Sequence, residues 1–138
     1  MGEFATTWLP RQPTSTAPDG SAVRVLLGLQ RGGLAHFTLP PGCVSRAVRH
    51  RTVDEIWYVV AGYGEMWRRL ESVEEIVTLS VGCCVSIPVG TAFQFRATGP
   101  SPLEAVAVTM PPWPGPGEAA FADSEGPWEP RPSPNVTL

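Results

Sequence analysis

Glycine and proline recur in the middle of this chain at intervals that leave room only for short strands. Gly42, Gly62, Gly82, Pro88 and Gly90 each interrupt a short apolar or alternating segment. Strands of about 4–7 residues that end at such turns every ~8–12 residues are typical of an all-β sandwich or barrel. A helical period occurs only over residues 117–123, where the pattern predicts a single helical turn.

The alternation of apolar and polar residues between these turns predicts a series of strands that covers most of the chain. The predicted strands are residues 23–29, 34–39, 46–50, 55–60, 65–70, 74–79, 85–87, 93–97 and 104–110. Residues 30–33 form a turn that joins the first two strands into a hairpin.

The regions that flank the strands differ from them in composition and predict three segments. Residues 1–22 are rich in Pro, Ser, Thr and Gly and form an N-terminal arm, residues 23–112 form the barrel, and residues 113–138 form a tail. Eight of the sixteen prolines follow residue 110. We therefore expect the tail to be extended and unpaired, with Trp113 packed on the barrel or a neighbouring subunit and with residues 131–138 frayed.

Composition excludes several classes of function. A net charge of −3 and a pI near 5.3 predict no binding to nucleic acid or to an acidic membrane surface. All ten basic residues are arginine, so chemistry that needs a lysine Schiff base is excluded. Because no segment approaches ~20 apolar residues, the sequence predicts no membrane span. An odd number of cysteines and an N-terminus without a leader pattern predict a reduced, cytoplasmic protein.

The spacing of the turns and of two ionisable residues resembles the two motifs of the cupin family. Gly42, Val48, His50, Glu55 and Gly62 align with Gly-x5-His-x-His-x3–4-Glu-x6-Gly. The second half aligns with Gly-x5-Pro-x-Gly-x2-His-x3-Asn, although Phe93 stands at its histidine and Ala97 at its asparagine. The resemblance implies a double-stranded β-helix, the cupin jelly-roll barrel, with the motif's His and Glu positions inside. It also implies a homodimer, because cupins commonly pair through N-terminal strands and arms.

His50 and Glu55 are the predicted catalytic residues. In the barrel that the resemblance implies, both face an apolar interior, where burial moves pKa values toward those that acid–base catalysis needs. They alternatively pair with each other in a purely structural role. The resemblance implies that metal-binding cupins hold the ion with the motif's three His and one Glu, but here Val48 and Phe93 replace two of the His, which leaves His50 and Glu55. Catalytic zinc takes three protein ligands and iron sites manage with two His and one carboxylate, so we predict no metal cofactor. A divalent Fe, Zn, Ni or Mn ion is the alternative, held by His50, Glu55 and His36.

Residues on the same inward faces are the predicted contacts of a small-molecule ligand. These residues are Trp57, Val48, Phe93, Phe95, Met66 and Arg68. Trp57 offers a stacking wall and raises the pKa of Glu55. Arg68 anchors an anionic group or lies on a solvated strand face that pairs with Glu71, Glu74 and Glu75.

Three functions remain open on the sequence alone. The preferred one is a metal-independent isomerase, cyclase or lyase of a biosynthetic pathway. The others are a metal-dependent cupin oxygenase or isomerase, and a binding or sensing barrel without catalysis. Fold resemblance alone does not choose among them.

Overall fold

Two antiparallel β-sheets face each other in the computed structural model, which describes residues 3–132. The strands are β1 (Ser15–Thr16), β2 (Ala22–Leu29), β3 (Gly32–Leu39), β4 (Val48–His50), β5 (Asp54–Ala61), β6 (Gly64–Leu70), β7 (Val73–Leu79), β8 (Cys84–Ile87), β9 (Ala92–Ala97), β10 (Leu103–Met110) and β11 (Ala119–Phe121). Each of the nine predicted strands is present, with ends that differ by up to two residues.

The chain crosses repeatedly between the two sheets. One sheet has the order β1-β2-β3-β10-β5-β8 and the other has the order β11-β4-β9-β6-β7. Because β4, β6, β7 and β9 lie in one sheet while β5, β8 and β10 lie in the other, the strands wind around a common interior. The predicted all-β double-stranded β-helix is confirmed. The described residues contain no helix able to span a membrane.

The interior between the sheets is built from alternate residues of the central strands. Every second residue of β5 from Glu55 to Val59 is buried, as is every second residue of β10 from Leu103 to Thr109. Trp57, Phe93 and Phe95 are among the largest side chains of this core. The alternation follows from the two-residue period of a strand, and it places Glu55 on the inward face.

The tail adopts a strand where the sequence predicted a helical turn. Ala119–Phe121 forms β11, which pairs with β4 along the edge that β9 leaves open. Further along, Arg131 pairs with Val44 through two backbone hydrogen bonds of 2.8 and 2.9 Å. The prediction of an unpaired tail was therefore wrong, because its prolines flank the paired residues without interrupting them. Residues 133–138 lie outside the described residues.

The tail also covers the outer face of the second sheet. Trp128 packs on a small cluster formed by Ala47, Trp67, Ala92 and Ala122. Gln94 points away from the barrel interior but is buried under the tail, where its amide donates to the backbone oxygens of Ser45 and Trp128 at 2.8 and 2.7 Å. Contacts between residues so distant in sequence leave no local pattern.

Gly62 occupies a turn that only glycine fits. Its φ is +82°, and a Cβ there would overlap the carbonyl oxygen of Pro102. We expect Gly62→Ala to destabilise the protein by about 2 kcal/mol, from left-handed strain and from the overlap together. Gly82→Ala is the matched control, because Gly82 has a φ of +92° and open space around it. Urea unfolding that gave equal losses for the two variants would contradict this account.

Candidate functional site

A cavity of about 350 Å³ lies beside the inward face of β2, β3 and β10. Its apolar wall includes Val23, Val25, Leu27, Leu34, Phe37 and Ala107. His50, Glu55 and Thr109 add polar side chains to the lining. Residues 15–18 of the arm and Pro112 and Trp113 of the segment after β10 complete the rim, so both flanking segments take part in the site.

His50 is held neutral by its surroundings. It is the last residue of β4, and its ring meets Phe93 and Trp113 edge-on at centroid distances of 5.2 and 5.0 Å. Burial lowers the pKa of His50 to about 4, although the nearby charge of Glu118 acts in the opposite direction. At neutral pH the imidazole is therefore uncharged, with its Nδ1 buried and without a hydrogen-bond partner among the described residues.

Glu118 is a buried carboxylate that the sequence analysis did not single out. It accepts hydrogen bonds from the backbone N–H groups of Thr52 and Val53 at 2.7 and 3.3 Å, and from the Thr52 hydroxyl. Burial acts to raise the pKa of Glu118, but these hydrogen bonds outweigh it and leave the pKa lowered. Glu118 thus stays ionised and fixes the turn that follows His50.

The carboxyl group of Glu55 has a pKa near neutral pH. It lies on β5 between Thr109 of β10 and Ile87 of β8, and its side chain is 3% exposed. Burial raises the pKa of Glu55 to about 7. The indole Nε1 of Trp57 donates to Oε2 at 2.6 Å and acts to lower the pKa, whereas the charge of Asp19 acts to raise it. The sequence analysis expected Trp57 to raise this pKa, but its hydrogen bond acts in the opposite direction.

Asp19 is a second buried carboxyl group, contributed by the segment that the sequence analysis treated as an arm. Its Oδ1 accepts hydrogen bonds from the backbone N–H and the hydroxyl of Ser21 at 2.9 and 2.6 Å. Burial raises the pKa of Asp19 against these two hydrogen bonds. The sequence Pro18-Asp19-Gly20 is typical of a turn and gives no indication of burial.

His50 and Glu55 line the same cavity but do not form an ion pair. Within residues 3–132, no His50 nitrogen lies within 4.0 Å of a Glu55 oxygen. The structural alternative, in which the two residues satisfy each other, is therefore not the observed arrangement. Each group can meet a ligand on its own.

Comparison with known protein families identifies the family of this chain. The family model described as Cupin domain matches residues 35–109, which is more than half of the sequence. The chain belongs to the cupin family. No protein of curated function matches the sequence.

Three similar solved structures support the fold of this cupin and nothing beyond it, because their sequence identities are only 14–21%. An uncharacterised Klebsiella pneumoniae protein with a double-stranded β-helix domain is 19% identical, with a TM-score of 0.62 over 78% of this chain and 89% of that one. The capsular polysaccharide assembling protein CapF of Staphylococcus aureus is 21% identical, with a TM-score of 0.63 over 78% of this chain and 31% of CapF. A deletion mutant of Bacillus subtilis oxalate decarboxylase is 14% identical, with a TM-score of 0.67 over 81% of this chain and 30% of that one.

The residues at the family's metal positions do not fit a metal in this cupin. The oxalate decarboxylase is described with Mn(II) centres. Here two of the matched ligand positions hold Val48 and Phe93, whose side chains have no donor atom and pack in the core. Among the described residues, no three His, Cys, Asp or Glu side chains cluster as a metal site. No step of the chemistry below is therefore assigned to a metal.

His36, the third ligand of the metal-dependent alternative, lies on the wrong face of its strand. It follows Ala35 and precedes Phe37, both of which line the cavity, so its side chain points to the other side of the sheet. Its Nε2 lies 2.9 Å from Oε1 of Glu104. The set of His50, Glu55 and His36 is not assembled.

The structure places the predicted ligand contacts behind the cavity wall or away from it. Trp57, Val48, Phe93, Phe95 and Met66 are all buried in the core, and none lines the cavity. Phe37 covers Trp57, with the rings stacked at 5.5 Å and 10°, and Phe37 itself faces the cavity. Sequence analysis missed Phe37 because it precedes the matched motifs.

Arg68 does not reach the cavity either. Its guanidinium donates to the backbone oxygen of Ser86 at 2.7 Å and pairs with Glu75. This is the surface pairing that the sequence analysis gave as the alternative to an anion anchor. An exposed pair of this kind contributes at most about 1 kcal/mol to stability.

Trp113 keeps the ring of His50 away from water. Because burial is the main cause of the lowered pKa, we expect Trp113→Ala to move the pKa of His50 from about 4 toward its ordinary value of 6.5. An NMR titration of the histidine Cε1–H signals measures the change. Trp8→Ala is the control, because Trp8 is 79% exposed on the arm. An unchanged His50 titration in Trp113→Ala would show that other groups keep the ring dry.

Proposed function

We propose that this cupin binds a small molecule in the cavity and catalyses metal-independent proton transfer, as an isomerase, cyclase or lyase does. The observation that carries the proposal is Glu55, a buried carboxyl group on the cavity wall with a pKa of about 7. A catalytic acid or base works best when its pKa lies near the working pH, and such catalysis contributes about 10²–10⁴-fold in rate.

Glu55 has both forms available near pH 7. The ionised carboxylate takes a proton from a C–H or O–H group of the bound molecule. The resulting carboxylic acid returns the proton at another atom of the same molecule, which leaves Glu55 as it began. Return to a different carbon gives an isomerisation, whereas return to a leaving group gives an elimination.

His50 acts in this proposal as a neutral partner that orients the ligand. Because its pKa is about 4, it stays uncharged while Glu55 titrates. A neutral imidazole has one donor and one acceptor nitrogen, and so it can hold a carbonyl or hydroxyl group of the ligand. Thr109, directly across the strand pair from Glu55, offers a further hydroxyl in the cavity.

Deuterium exchange tests the proposal without knowledge of the complete reaction. The protein is incubated in D₂O near neutral pD with neutral ketones that carry a C–H next to the carbonyl, and mass spectrometry follows deuterium uptake. We expect uptake that depends on wild-type protein, disappears in Glu55→Gln and survives dialysis against EDTA. Glu129→Gln, which changes an exposed carboxylate, is the control.

Three outcomes of this experiment would contradict the proposal. Full exchange in Glu55→Gln would remove Glu55 from the chemistry. Loss of exchange after EDTA, with recovery on adding Fe, Zn, Ni or Mn, would favour the metal-dependent alternative. Ligand binding by the wild type without deuterium exchange in the wild type or in either variant would favour a binding or sensing barrel.

We also propose that the protein forms a homodimer through its N-terminal arm. Phe4 and Trp8 are exposed on an arm whose end is attached to β2, where Arg24 donates to the backbone oxygens of Pro10 and Arg11 at 2.8 and 3.1 Å. Burial of such side chains against a second copy would favour association. We expect light scattering to give twice the chain mass of 14.8 kDa. The Phe4→Ala/Trp8→Ala variant should fall toward the monomer, and a monomeric wild type would contradict the proposal.

A further inference from the structure

We propose that the cavity selects a neutral, largely apolar ligand with one hydrogen-bonding end, and that it rejects carboxylates and phosphates. This inference rests on the proposed function in one respect, namely that Glu55 is the group which meets the polar end. It goes further by assigning the chemical class of the ligand.

The walls of the cavity offer mainly hydrocarbon. Val25, Leu27 and Leu34 line one part, and the aromatic rings of Phe37 and Trp113 line others. A volume of about 350 Å³ is near the lower end of the ~300–1,000 Å³ range of small-molecule sites. A molecule with one or two rings and little polar surface suits such a space, because each buried polar group needs a partner.

Apart from Ser15 and Thr16 at the rim, the polar side chains of the lining lie on the β5–β10 strand pair and on β4. Glu55 and Thr109 are direct partners across β5 and β10, so their side chains share one face. His50 completes the set from the other sheet. One ketone group can meet these three residues, because its carbonyl oxygen accepts from the Thr109 hydroxyl or from a His50 N–H while the adjacent C–H lies at Glu55. The rest of the molecule then lies against the apolar wall.

The charges around the cavity are unfavourable to an anion. None of the lining residues is an arginine, and the chain has no lysine. Arg46, Arg49, Arg68 and Arg96 are each paired with a carboxylate outside the cavity. Glu55 lies in the lining, and Asp19 is near enough to act on it electrostatically.

An anionic ligand would therefore be buried beside a carboxyl group with no cation to balance it. Carboxylate and phosphate sites in proteins normally supply arginine, lysine or clustered backbone N–H groups. A cationic ligand would pair with the Glu55 carboxylate but would give up its own hydration, and the desolvation of a buried ion pair commonly cancels its attraction. A neutral ligand avoids both costs.

Three probes with the same apolar body separate these cases. We would titrate 2-acetylnaphthalene, 2-naphthoate and 2-(aminomethyl)naphthalene into the full wild-type chain at pH 8 by calorimetry. The ketone is expected to bind at least about 30-fold more tightly than the naphthoate, the factor that corresponds to about 2 kcal/mol. The amine is expected to bind no more tightly than the ketone.

Glu55→Gln sharpens the measurement because it keeps an oxygen for the Trp57 indole but removes the charge. In this variant the naphthoate is expected to gain at least about tenfold in affinity at pH 8, while the ketone changes by less than about threefold. With wild type, the naphthoate should also bind better at pH 5.5, where Glu55 is protonated.

The inference is overturned if the naphthoate binds wild type at pH 8 as tightly as the ketone does, if the amine binds more tightly than the ketone, or if the ketone does not bind. Failure of this inference can be distinguished from failure of the proposed catalysis. Ketone binding without deuterium exchange would contradict the proposed catalysis but would still support the ligand class. Exchange on ketones together with tight naphthoate binding would do the reverse.

Discussion

Glu55→Gln is expected to stabilise the protein by about 3 kcal/mol at pH 8 and to change its stability little at pH 4. The magnitude follows from a pKa of about 7 in the folded state against an ordinary value of 4.5, at about 1.4 kcal/mol for each pKa unit. Since the carboxyl group is almost completely buried, little of this effect is lost to screening by water. Ionisation of the buried Glu55 therefore destabilises the folded wild type as the pH approaches and passes 7.

The sign follows from which state holds the proton. Between pH 4.5 and 7 the folded protein keeps the Glu55 proton, whereas the unfolded chain releases it. Stability therefore falls as the pH rises through this window, and the loss is complete above pH 7. The glutamine cannot titrate, so the variant avoids the loss while its amide oxygen still accepts from Trp57.

Urea unfolding of wild type and variant at intervals from pH 4 to pH 8.5 measures this difference. Glu129→Gln is the control for removal of an exposed carboxylate, and its stability should follow the wild type within about 0.5 kcal/mol at every pH. If Glu55→Gln also followed the wild type, the carboxyl group would ionise in the folded protein as it does in water, and Glu55 would lose its suitability as a base near pH 7.

His50→Phe is expected to show the opposite dependence. The pKa of His50 is about 4 in the folded protein and 6.5 ordinarily, so the unfolded chain binds the proton first as the pH falls. The wild type therefore loses about 3 kcal/mol between pH 6.5 and pH 4, and the phenylalanine variant is spared that loss. Phenylalanine preserves the edge contacts with Phe93 and Trp113 and removes a buried nitrogen without a partner.

The comparison between pH 7 and pH 4 measures the effect, because packing differences between the two side chains are the same at both values. The advantage of His50→Phe over wild type should grow by about 3 kcal/mol as the pH is lowered. A constant difference across this range would mean that His50 already titrates as a solvated imidazole, and would contradict its role as a neutral partner.

The two groups oppose each other in the wild type. Between pH 4.5 and 6.5, His50 makes stability rise with pH while Glu55 makes it fall. Each single variant should uncover the slope of the residue that remains, and the double variant should be nearly flat again. Because neither group is among the causes of the other's pKa shift, their effects should add.

The barrel could be predicted from the sequence because its turns need particular residues. Gly62, with positive φ and a carbonyl oxygen where a Cβ would lie, is an example of a position where the backbone dictates the residue type. The two-residue period of strands, read with the resemblance to cupins, likewise implied inward faces for His50 and Glu55, and the structure has both in the lining of one cavity.

The walls of the site could not be predicted in the same way. Trp57 and Phe93 were expected to contact the ligand, yet Phe37 stands in front of Trp57 and Phe93 packs in the core. Which of several inward residues reaches a cavity depends on how far each lies from the open end of the barrel. The alternation of residues along a strand shows which side chains face inward, but it does not show how far each one lies from the open end.

Residues far apart in sequence supply the remaining parts of the site. Glu118 and Trp113 come from the proline-rich segment after the barrel, and Asp19 comes from the segment before it. Both segments have compositions typical of loops. Their ordering depends on tertiary contacts, such as the hydrogen bonds of Glu118 to the turn after β4, which local patterns do not reveal.

The central claim is that Glu55 holds its proton up to neutral pH in the folded protein. An NMR titration of the glutamate side-chain carboxyl carbons, with Glu55→Gln used to assign the signal, measures it directly. The account predicts a midpoint of about 7 for Glu55. A midpoint at the ordinary value near 4.5 would contradict it.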